Sequence, residues 1–199
     1  MNQDQVSKCI KDFLETDRVK EAIATITKCK ITGWEGWLQV EFAYYLETVV
    51  YGKHKQKFDW YREYKINTHS SPNDEESEEK SKYIIPDFWI SSDQGDDSYY
   101  LIEFKRSNSR SLPGDMGEDI TKWKAHIEQC TDELKCGSDP ENTYTNCGVF
   151  FVGIDTNPSD LLSSIKVNEV ALELVEVPLE EGMLYYRIGF LPIENKASS

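Results

Sequence analysis

Three charged residues lie inside two strongly apolar stretches of the chain. Asp87 lies in IIPDFWI, and Glu103 and Lys105 lie in YYLIEFK. Side chains two residues apart in a strand share a face, so Glu103 and Lys105 are predicted to point the same way. If the two stretches pair as neighbouring strands, Asp87 lies beside them on one surface. Two carboxylates and one ammonium group would then converge.

This combination of groups has a specific chemical use. Two adjacent carboxylates repel each other unless a cation lies between them. Hard oxygen ligands with open coordination positions suit Mg²⁺ or Mn²⁺ better than zinc. A lysine beside such a metal can orient or help to deprotonate an attacking water, or neutralise charge on a phosphate. The three residues therefore predict metal-assisted hydrolysis of a phosphodiester.

A purely structural interpretation of the same residues is also open. Glu103 and Lys105 would then form an ion pair on an exposed face, and Asp87 would be a turn residue after Pro86. Against this interpretation, the two stretches are more apolar than a fully solvated hairpin would be.

The pattern of apolar residues predicts an α/β domain with a central mixed sheet around these residues. The predicted helices lie at residues 3–29 (one helix or two), 34–52 and 120–135, with LPGDMGED as the loop before the third. The predicted strands lie at residues 58–68, on both sides of the polar loop 91–98, and at 147–155, the last covered on both faces. Residues 169–177 and 183–193 are predicted to form a final hairpin, or a short helix and a strand.

Pro86-Asp87, fifteen further residues and then Glu103-Phe104-Lys105 resemble the signature of the PD-(D/E)xK, or restriction-endonuclease-like, nuclease superfamily. The resemblance covers roughly residues 33–154. It implies an α-β-β-β-α-β core, here with an extra N-terminal helix and the C-terminal segments. It also implies that Asp87 and Glu103 bind Mg²⁺ (or Mn²⁺) and that Lys105 assists the water.

Many members of that superfamily add a glutamate from the preceding helix as an auxiliary metal ligand. Glu41 fits this role because its spacing places it on the face of Trp34, Trp37 and Leu38, which is predicted to be buried. A solvated or salt-bridged Glu41 is equally compatible with the sequence. The superfamily also often places a polar residue of the following helix near the site, and Lys122, Lys124 and Gln129 are the candidates here.

Residues 51–65 form the only clearly basic region of the sequence. They could hold the phosphates of nucleic acid, for which DNA is the expected substrate, or form a solvated helix end and strand edge. The residues predicted to contact nucleic acid are Lys53, Lys55, Lys57, Arg62, Arg106, Lys122 and Lys124.

The overall charge of the chain supports a second hypothesis. The net charge is −14, and residues 71–199 carry 26 Asp and Glu against 11 Lys and Arg. Such acidity is unusual for a protein that binds nucleic acid through nonspecific charge. The acidic run in the predicted mobile loop 69–82 either solubilises the chain or imitates nucleic acid. The alternative function is therefore a non-catalytic acidic binding protein on the same fold, such as an immunity or inhibitor protein that neutralises a basic nuclease toxin.

Length and composition set the remaining expectations. The 199 residues are expected to form a single domain. A nuclease this acidic is expected to need a protein partner or a homodimer to supply basic surface. The N-terminus lacks the pattern of a secretory signal and no apolar run is long enough to span a bilayer, so a cytoplasmic protein without a membrane partner is expected. The five cysteines include no CxxC pair, which indicates neither a disulfide framework nor a zinc site.

Overall fold

The computed structural model describes residues 1–52, 60–67, 83–92, 98–107, 111–129, 134–135, 143–156, 158 and 161–193. The acidic loop 69–82, the three histidine side chains and three of the predicted nucleic-acid contacts, Lys53, Lys55 and Lys57, lie outside this part of the chain.

Four α-helices and ten strands make up the described structure. The helices are α1 (Gln3–Leu14), α2 (Asp17–Cys29), α3 (Glu35–Tyr45), which continues into a π-helical turn (Leu46–Val50), and α4 (Leu112–Gln129). The strands are β1 (Trp60–Arg62), β2 (Ile66–Asn67), β3 (Tyr83–Ile84), β4 (Phe88–Ser91), β5 (Ser98–Arg106), β6 (Leu134–Lys135), β7 (Thr143–Asp155), β8 (Ser164–Val167), β9 (Val170–Pro178) and β10 (Met183–Pro192).

The main sheet is mixed, as the sequence predicts. Its strand order is β1-β4-β5-β7-β10-β9-β8, with β6 paired to β7, while β2 and β3 form a separate two-stranded sheet. Strands β5 and β7 are parallel, and the other pairs along the main sheet are antiparallel. The prediction of an α/β fold is therefore confirmed.

Helices cover both faces of the sheet. One buried cluster joins α1, α2 and α3 to the face of β5 that carries Tyr100, Ile102 and Phe104. The other joins α4 to the face that carries Tyr99 and Leu101. Strand β5 thus alternates as predicted, and its charged residues belong to the face that α4 covers. Strand β7 contributes to both clusters, which confirms that it is covered on both sides.

The N-terminal apolar pattern forms two helices because local capping begins each of them. Asn2 accepts a hydrogen bond from the backbone of Gln5, whose side chain bonds back to the Asn2 backbone. Thr16 then begins α2 by accepting from the Val19 N–H. These two helices, with α3, form the layer on one side of the sheet.

Helix α4 begins eight residues before the predicted start, because LPGDMGED is helical and not a loop. Pro113 is tolerated in the first turn, where its missing N–H has no intrahelical acceptor. Gly117 lies where a Cβ would come within 2.9 Å of the Val167 side chain. The residues that suggested a loop therefore permit the helix to start and to pack closely. At the other end Leu134, predicted to be helical, lies in β6.

Three further differences from the predicted elements occur elsewhere. The strand predicted over residues 58–68 is divided into β1 and β2 after Glu63, whose φ is 53°. Strand β8 was not predicted. The C-terminal segments form an antiparallel hairpin of β9 and β10, so the alternative of a short helix and a strand is wrong.

Within the described residues, no helix combines the length and the apolar character that crossing a membrane requires.

Candidate active site

Asp87 lies directly opposite Glu103 at the point where β4 begins. The antiparallel register pairs Phe88 with Ile102, and one step further along places Asp87 across from Glu103. The Asp87 carboxylate accepts a hydrogen bond from the Phe104 N–H at 2.7 Å. The predicted meeting of Asp87 with the charged face of β5 is therefore confirmed.

Gln39 on α3 holds the Asp87 carboxylate from the opposite side. Its Nε2 donates to Asp87 Oδ1 at 2.7 Å, and its Oε1 accepts from the Arg62 guanidinium at 2.9 Å. Arg62 also donates to Glu63 at 2.8 Å. Residues from β1, α3 and β5 thus fix the orientation of one carboxylate. Gln39 is buried, so its amide is committed to this network.

Glu103 is held from the other layer by α4. The indole N–H of Trp123 donates to Glu103 Oε1 at 2.7 Å. Burial raises the pKa of Glu103 well above its ordinary value, and the charge of Asp87 raises it further. The Trp123 hydrogen bond and the charge of Lys122 oppose this shift without cancelling it. A carboxylate this strongly desolvated needs a proton or a cation at neutral pH.

Lys105 forms an ion pair with Asp119, one helical turn before Trp123 on α4. Its Nζ lies 2.8 Å from Asp119 Oδ2. Burial lowers the pKa of Lys105, but the hydrogen bond and charge of Asp119, together with the charges of Glu35 and Glu103, outweigh it and raise the pKa overall. Lys105 is therefore a cation at neutral pH.

Close packing of α4 on β7 brings Asp119 and Trp123 down to β5. Gly153 pairs with Lys105 in the parallel register. A Cβ at Gly153 would lie 2.3 Å from Met116 Sδ and 2.8 Å from a Leu112 methyl carbon. A larger residue at this position would clash with the Met116 and Leu112 side chains of α4 unless they or the helix shifted.

Glu35 is the acidic residue that α3 brings to this cluster, and the sequence interpretation missed it. Its Oε2 accepts a hydrogen bond from the Arg106 N–H at 3.0 Å. Its charge contributes to raising the pKa values of both Asp87 and Lys105. The signal that could have identified it is its spacing of four residues from Gln39, which places the two side chains on one face of the helix.

Four carboxylates therefore surround one lysine. The pKa of Asp87 is raised from 3.8 to about 7, chiefly by burial. The hydrogen bond from Phe104 lowers this pKa, the charges of Glu35 and Asp119 raise it, and the charge of Lys105 lowers it. This excess of half-buried acidic groups is the dominant electrostatic property of the site. The carboxylates of Asp87, Glu103, Glu35 and Asp119 are called the acidic cluster below.

Glu41 does not join the acidic cluster. It is buried, as predicted, but Arg18 of α2 binds both of its carboxylate oxygens, one through Nε and the other through Nη2 at 2.7 Å. This guanidinium holds the pKa of Glu41 below its ordinary value. Glu41 lies about 200° around the helix axis from Gln39. The predicted role of Glu41 as an auxiliary metal ligand does not fit this placement.

The described residues predicted to contact nucleic acid have different surroundings. Arg62 belongs to the Gln39 network, and Lys124 forms an ion pair with Glu169 at 2.7 Å. Lys122 is exposed and close enough to Glu103 for its charge to lower the pKa of that carboxyl. Arg106 lines a separate cavity beside the start of α3.

The donor atoms of the acidic cluster suit a hard divalent cation. Within the described residues Glu103 Oε2 has no protein hydrogen bond, and each Asp87 oxygen uses one of its two lone pairs. In the same part of the chain, no three Asp, Glu, His or Cys side chains are grouped closely enough to hold a metal ion by themselves. Mg²⁺ commonly binds to one or two carboxylates and completes its shell with water and substrate phosphate oxygens.

Comparison with known proteins adds no relative to this description. No family model, no curated protein and no solved structure matches the chain.

Proposed function

We propose that the protein is a metal-dependent nuclease that hydrolyses phosphodiester bonds, with DNA as the favoured substrate and Mg²⁺ or Mn²⁺ as the cofactor. The observation that supports this proposal is the pair Asp87 and Glu103, two half-buried carboxyl groups whose pKa values desolvation raises and which lie opposite each other beside the cation Lys105. Two such carboxylates on one surface destabilise the folded state unless a cation binds to them.

Asp87 and Glu103 are the residues that would hold the metal, and the carboxylate of Glu35 lies close enough to add to the field. The metal would supply a polarised water and would neutralise charge on the phosphate. Hydrolysis then adds water to the phosphorus, breaks one P–O bond and leaves a phosphate monoester and a hydroxyl end.

Lys105 acts in this proposal as a fixed positive charge. Because its pKa is raised, it keeps its proton at neutral pH and is suited to stabilise negative charge on the phosphate, not to accept a proton from water. Asp119 orients the ammonium group through their ion pair.

Gln39 and Trp123 are positioning residues. Gln39 fixes Asp87 through Oδ1, and Trp123 fixes Glu103 through Oε1. Each leaves acceptor capacity on the carboxylate that it holds. The site therefore presents its oxygens in a fixed arrangement before any substrate binds, which lowers the cost of reorganisation.

A cleavage assay tests the proposal. Wild type, Asp87→Asn, Lys105→Ala and the control Lys8→Ala are incubated with Mg²⁺ or Mn²⁺ and plasmid, single-stranded DNA or tRNA. Lys8 suits the control because it lies on α1 in an exposed pair with Asp12. Loss of either site residue is expected to reduce cleavage about 100-fold or more, with Lys8→Ala unchanged. Equal residual cleavage by all four proteins, or none by wild type on any substrate, refutes the nuclease.

The charge of the chain supports a second proposal, a non-catalytic binding protein for a basic partner. The supporting observation is the excess of 26 acidic over 11 basic residues in 71–199. This proposal requires that Asp87→Asn and Lys105→Ala leave function in the native host intact. It also requires that a basic protein co-purifies with the chain at moderate salt and is lost when surface carboxylates are neutralised.

A further inference from the structure

A cavity of about 690 Å³ lies beside the acidic cluster, on the other face of β5. Its lining includes Lys30 at the end of α2, Ile31, Trp34 before α3, and Arg106 and Ser107 at the end of β5. This volume is within the range of about 300–1,000 Å³ that small-molecule sites occupy. The cavity therefore has room for a ligand of the size of one nucleotide.

The cavity is basic, although the chain as a whole is strongly acidic. Lys30 and Arg106 both line it, and no described lining residue carries a carboxylate. Within the described part of the chain neither cation has a carboxylate partner for its side chain. The hydroxyl groups of Thr32 and Thr156 add hydrogen-bonding capacity, whereas the Thr27 hydroxyl donates to the Ile23 carbonyl. Together these groups suit a phosphate, which Lys and Arg side chains and hydroxyls commonly bind.

The opposite part of the lining is apolar. Ile26, Trp34 and Ile154 line this part of the cavity and are buried in the main core, while Ile31 is 48% exposed. An exposed isoleucine with a tryptophan in the same lining is a suitable surface for a flat, weakly polar ring. The combination of cations with an apolar wall fits a ligand that carries both a phosphate and a base or sugar.

The place of the cavity in the fold connects it to the acidic cluster. Strands β5 and β7 are parallel, and the cavity lies at their carboxyl ends, where α/β sheets commonly bind ligands. Arg106 follows Lys105 directly, and its backbone N–H is bound by Glu35 of the acidic cluster. A ligand chain that passes around the end of β5 can therefore contact both the cavity and Lys105.

We propose that this cavity binds one unpaired nucleotide of a single-stranded nucleic acid, with the phosphate on Lys30 and Arg106 and the base or sugar against Ile31 and Trp34. A nucleotide can enter a recess of this kind only when its base is out of the duplex. The identity of the ligand rests on the proposed nuclease function. The binding site itself is tested without catalysis.

Binding is measured by fluorescence anisotropy with a 5′-labelled ten-residue oligothymidylate in EDTA, so that no divalent metal is present. The variants are Lys30→Gln, Arg106→Gln, the double variant and Ile31→Ala. Lys28→Gln is the matched control, because Lys28 lies on the same helix, is exposed and does not line the cavity. A ten-base-pair duplex, an oligouridylate, thymidine monophosphate and inorganic phosphate serve as competitors.

The double variant is expected to bind the oligothymidylate about tenfold more weakly, and Lys28→Gln within about twofold of wild type. In the double variant the slope of log affinity against log salt should fall by about 0.7, since Lys30 and Arg106 are proposed to share one phosphate and each neutralised phosphate of a single strand contributes about 0.7. Ile31→Ala should weaken competition by thymidine monophosphate and leave competition by inorganic phosphate unchanged. The duplex should compete poorly, and the oligouridylate shows whether the cavity separates RNA from DNA.

The inference is overturned if wild type binds no single strand, if Lys28→Gln weakens binding as much as the double variant does, or if the duplex competes as well as the single strand. Failure of the cavity site and failure of the nuclease proposal give different results. A protein that binds through Lys30 and Arg106 but never cleaves retains the cavity site and loses the nuclease. A protein that cleaves while the double variant binds normally retains the nuclease and loses the cavity site.

Discussion

Replacing Asp87 with asparagine is expected to change how the stability of the protein depends on pH. In the folded chain the pKa of Asp87 is raised from 3.8 to about 7, chiefly by burial. Between these two values the folded state keeps a proton that the unfolded state releases. Stability contributed by this group is therefore complete below pH 3.8 and is lost as pH rises through about 7.

The magnitude follows from the size of that shift. For one group with these two pKa values, raising the pH from 5 to 8 in the absence of metal should cost about 3 kcal/mol of stability. Asparagine cannot ionise, so the variant should lack this part of the pH dependence. The NH2 group of asparagine takes the place of one of the two Asp87 oxygens, which accept hydrogen bonds from Gln39 and Phe104. The lost hydrogen bond should lower stability by about 1 kcal/mol at either pH. That cost cancels when the two pH values are compared within each protein.

Urea unfolding followed by tryptophan fluorescence at pH 5 and pH 8, in EDTA, measures the effect. Trp89 and Trp123 are buried in the layer that contains the site and report its unfolding. Asp12→Asn, at an exposed position on α1, is the control and should keep the wild-type pH dependence. If Asp87→Asn loses as much stability between the two pH values as wild type does, then Asp87 does not carry the raised pKa and the description of the acidic cluster is wrong.

Three further predictions follow from the same geometry. Mg²⁺ should raise the melting temperature of wild type more at pH 8 than at pH 6, because metal and protons compete for the carboxylates, and Asp87→Asn should lose most of this effect in differential scanning calorimetry. Glu35→Gln should reduce cleavage at least about tenfold, whereas Glu41→Gln should leave cleavage nearly unchanged but lower the midpoint of urea unfolding. A larger loss of cleavage in Glu41→Gln than in Glu35→Gln would show that Glu41, not Glu35, belongs to the active site. Gly153→Val should reduce cleavage while changing no residue of the acidic cluster, because it displaces α4; the same cleavage as wild type, in a variant with unchanged circular dichroism, would contradict this.

The strand that carries the site could be predicted because alternation alone separates its two faces. Tyr100, Ile102 and Phe104 pack on one helical layer, which leaves Glu103 and Lys105 on the other face. The register with β4 then follows from the short loop between the strands. The parallel pairing of β5 with β7 was not specified by the sequence pattern, since it depends on the path of α4 and not on local spacing.

The partners of the charged residues could not be predicted in the same way. Helix α3 lies between α2 and the sheet and buries residues on both sides, so its apolar pattern does not distinguish the side of Gln39 from the side of Glu41. Asp119 lay in a segment whose proline and glycines suggested a loop. Those residues in fact permit a helix to start and to approach its neighbours, which only tertiary packing decides.

The C-terminal hairpin has a consequence for the synthesis of the protein. Every residue of the acidic cluster, with its supporting Gln39 and Trp123, precedes residue 124, yet β7 pairs with β10 from Gly148 to Asp155. Leu184, Tyr186 and Ile188 of β10 belong to the same core as Phe104. A nascent chain still attached to the ribosome at residue 170 thus has all its site residues but lacks this part of the core and the second neighbour of β7. We expect activity to arise only after β10 has been synthesised, and a chain truncated before β9 to be inactive and to aggregate through the open edge of β7.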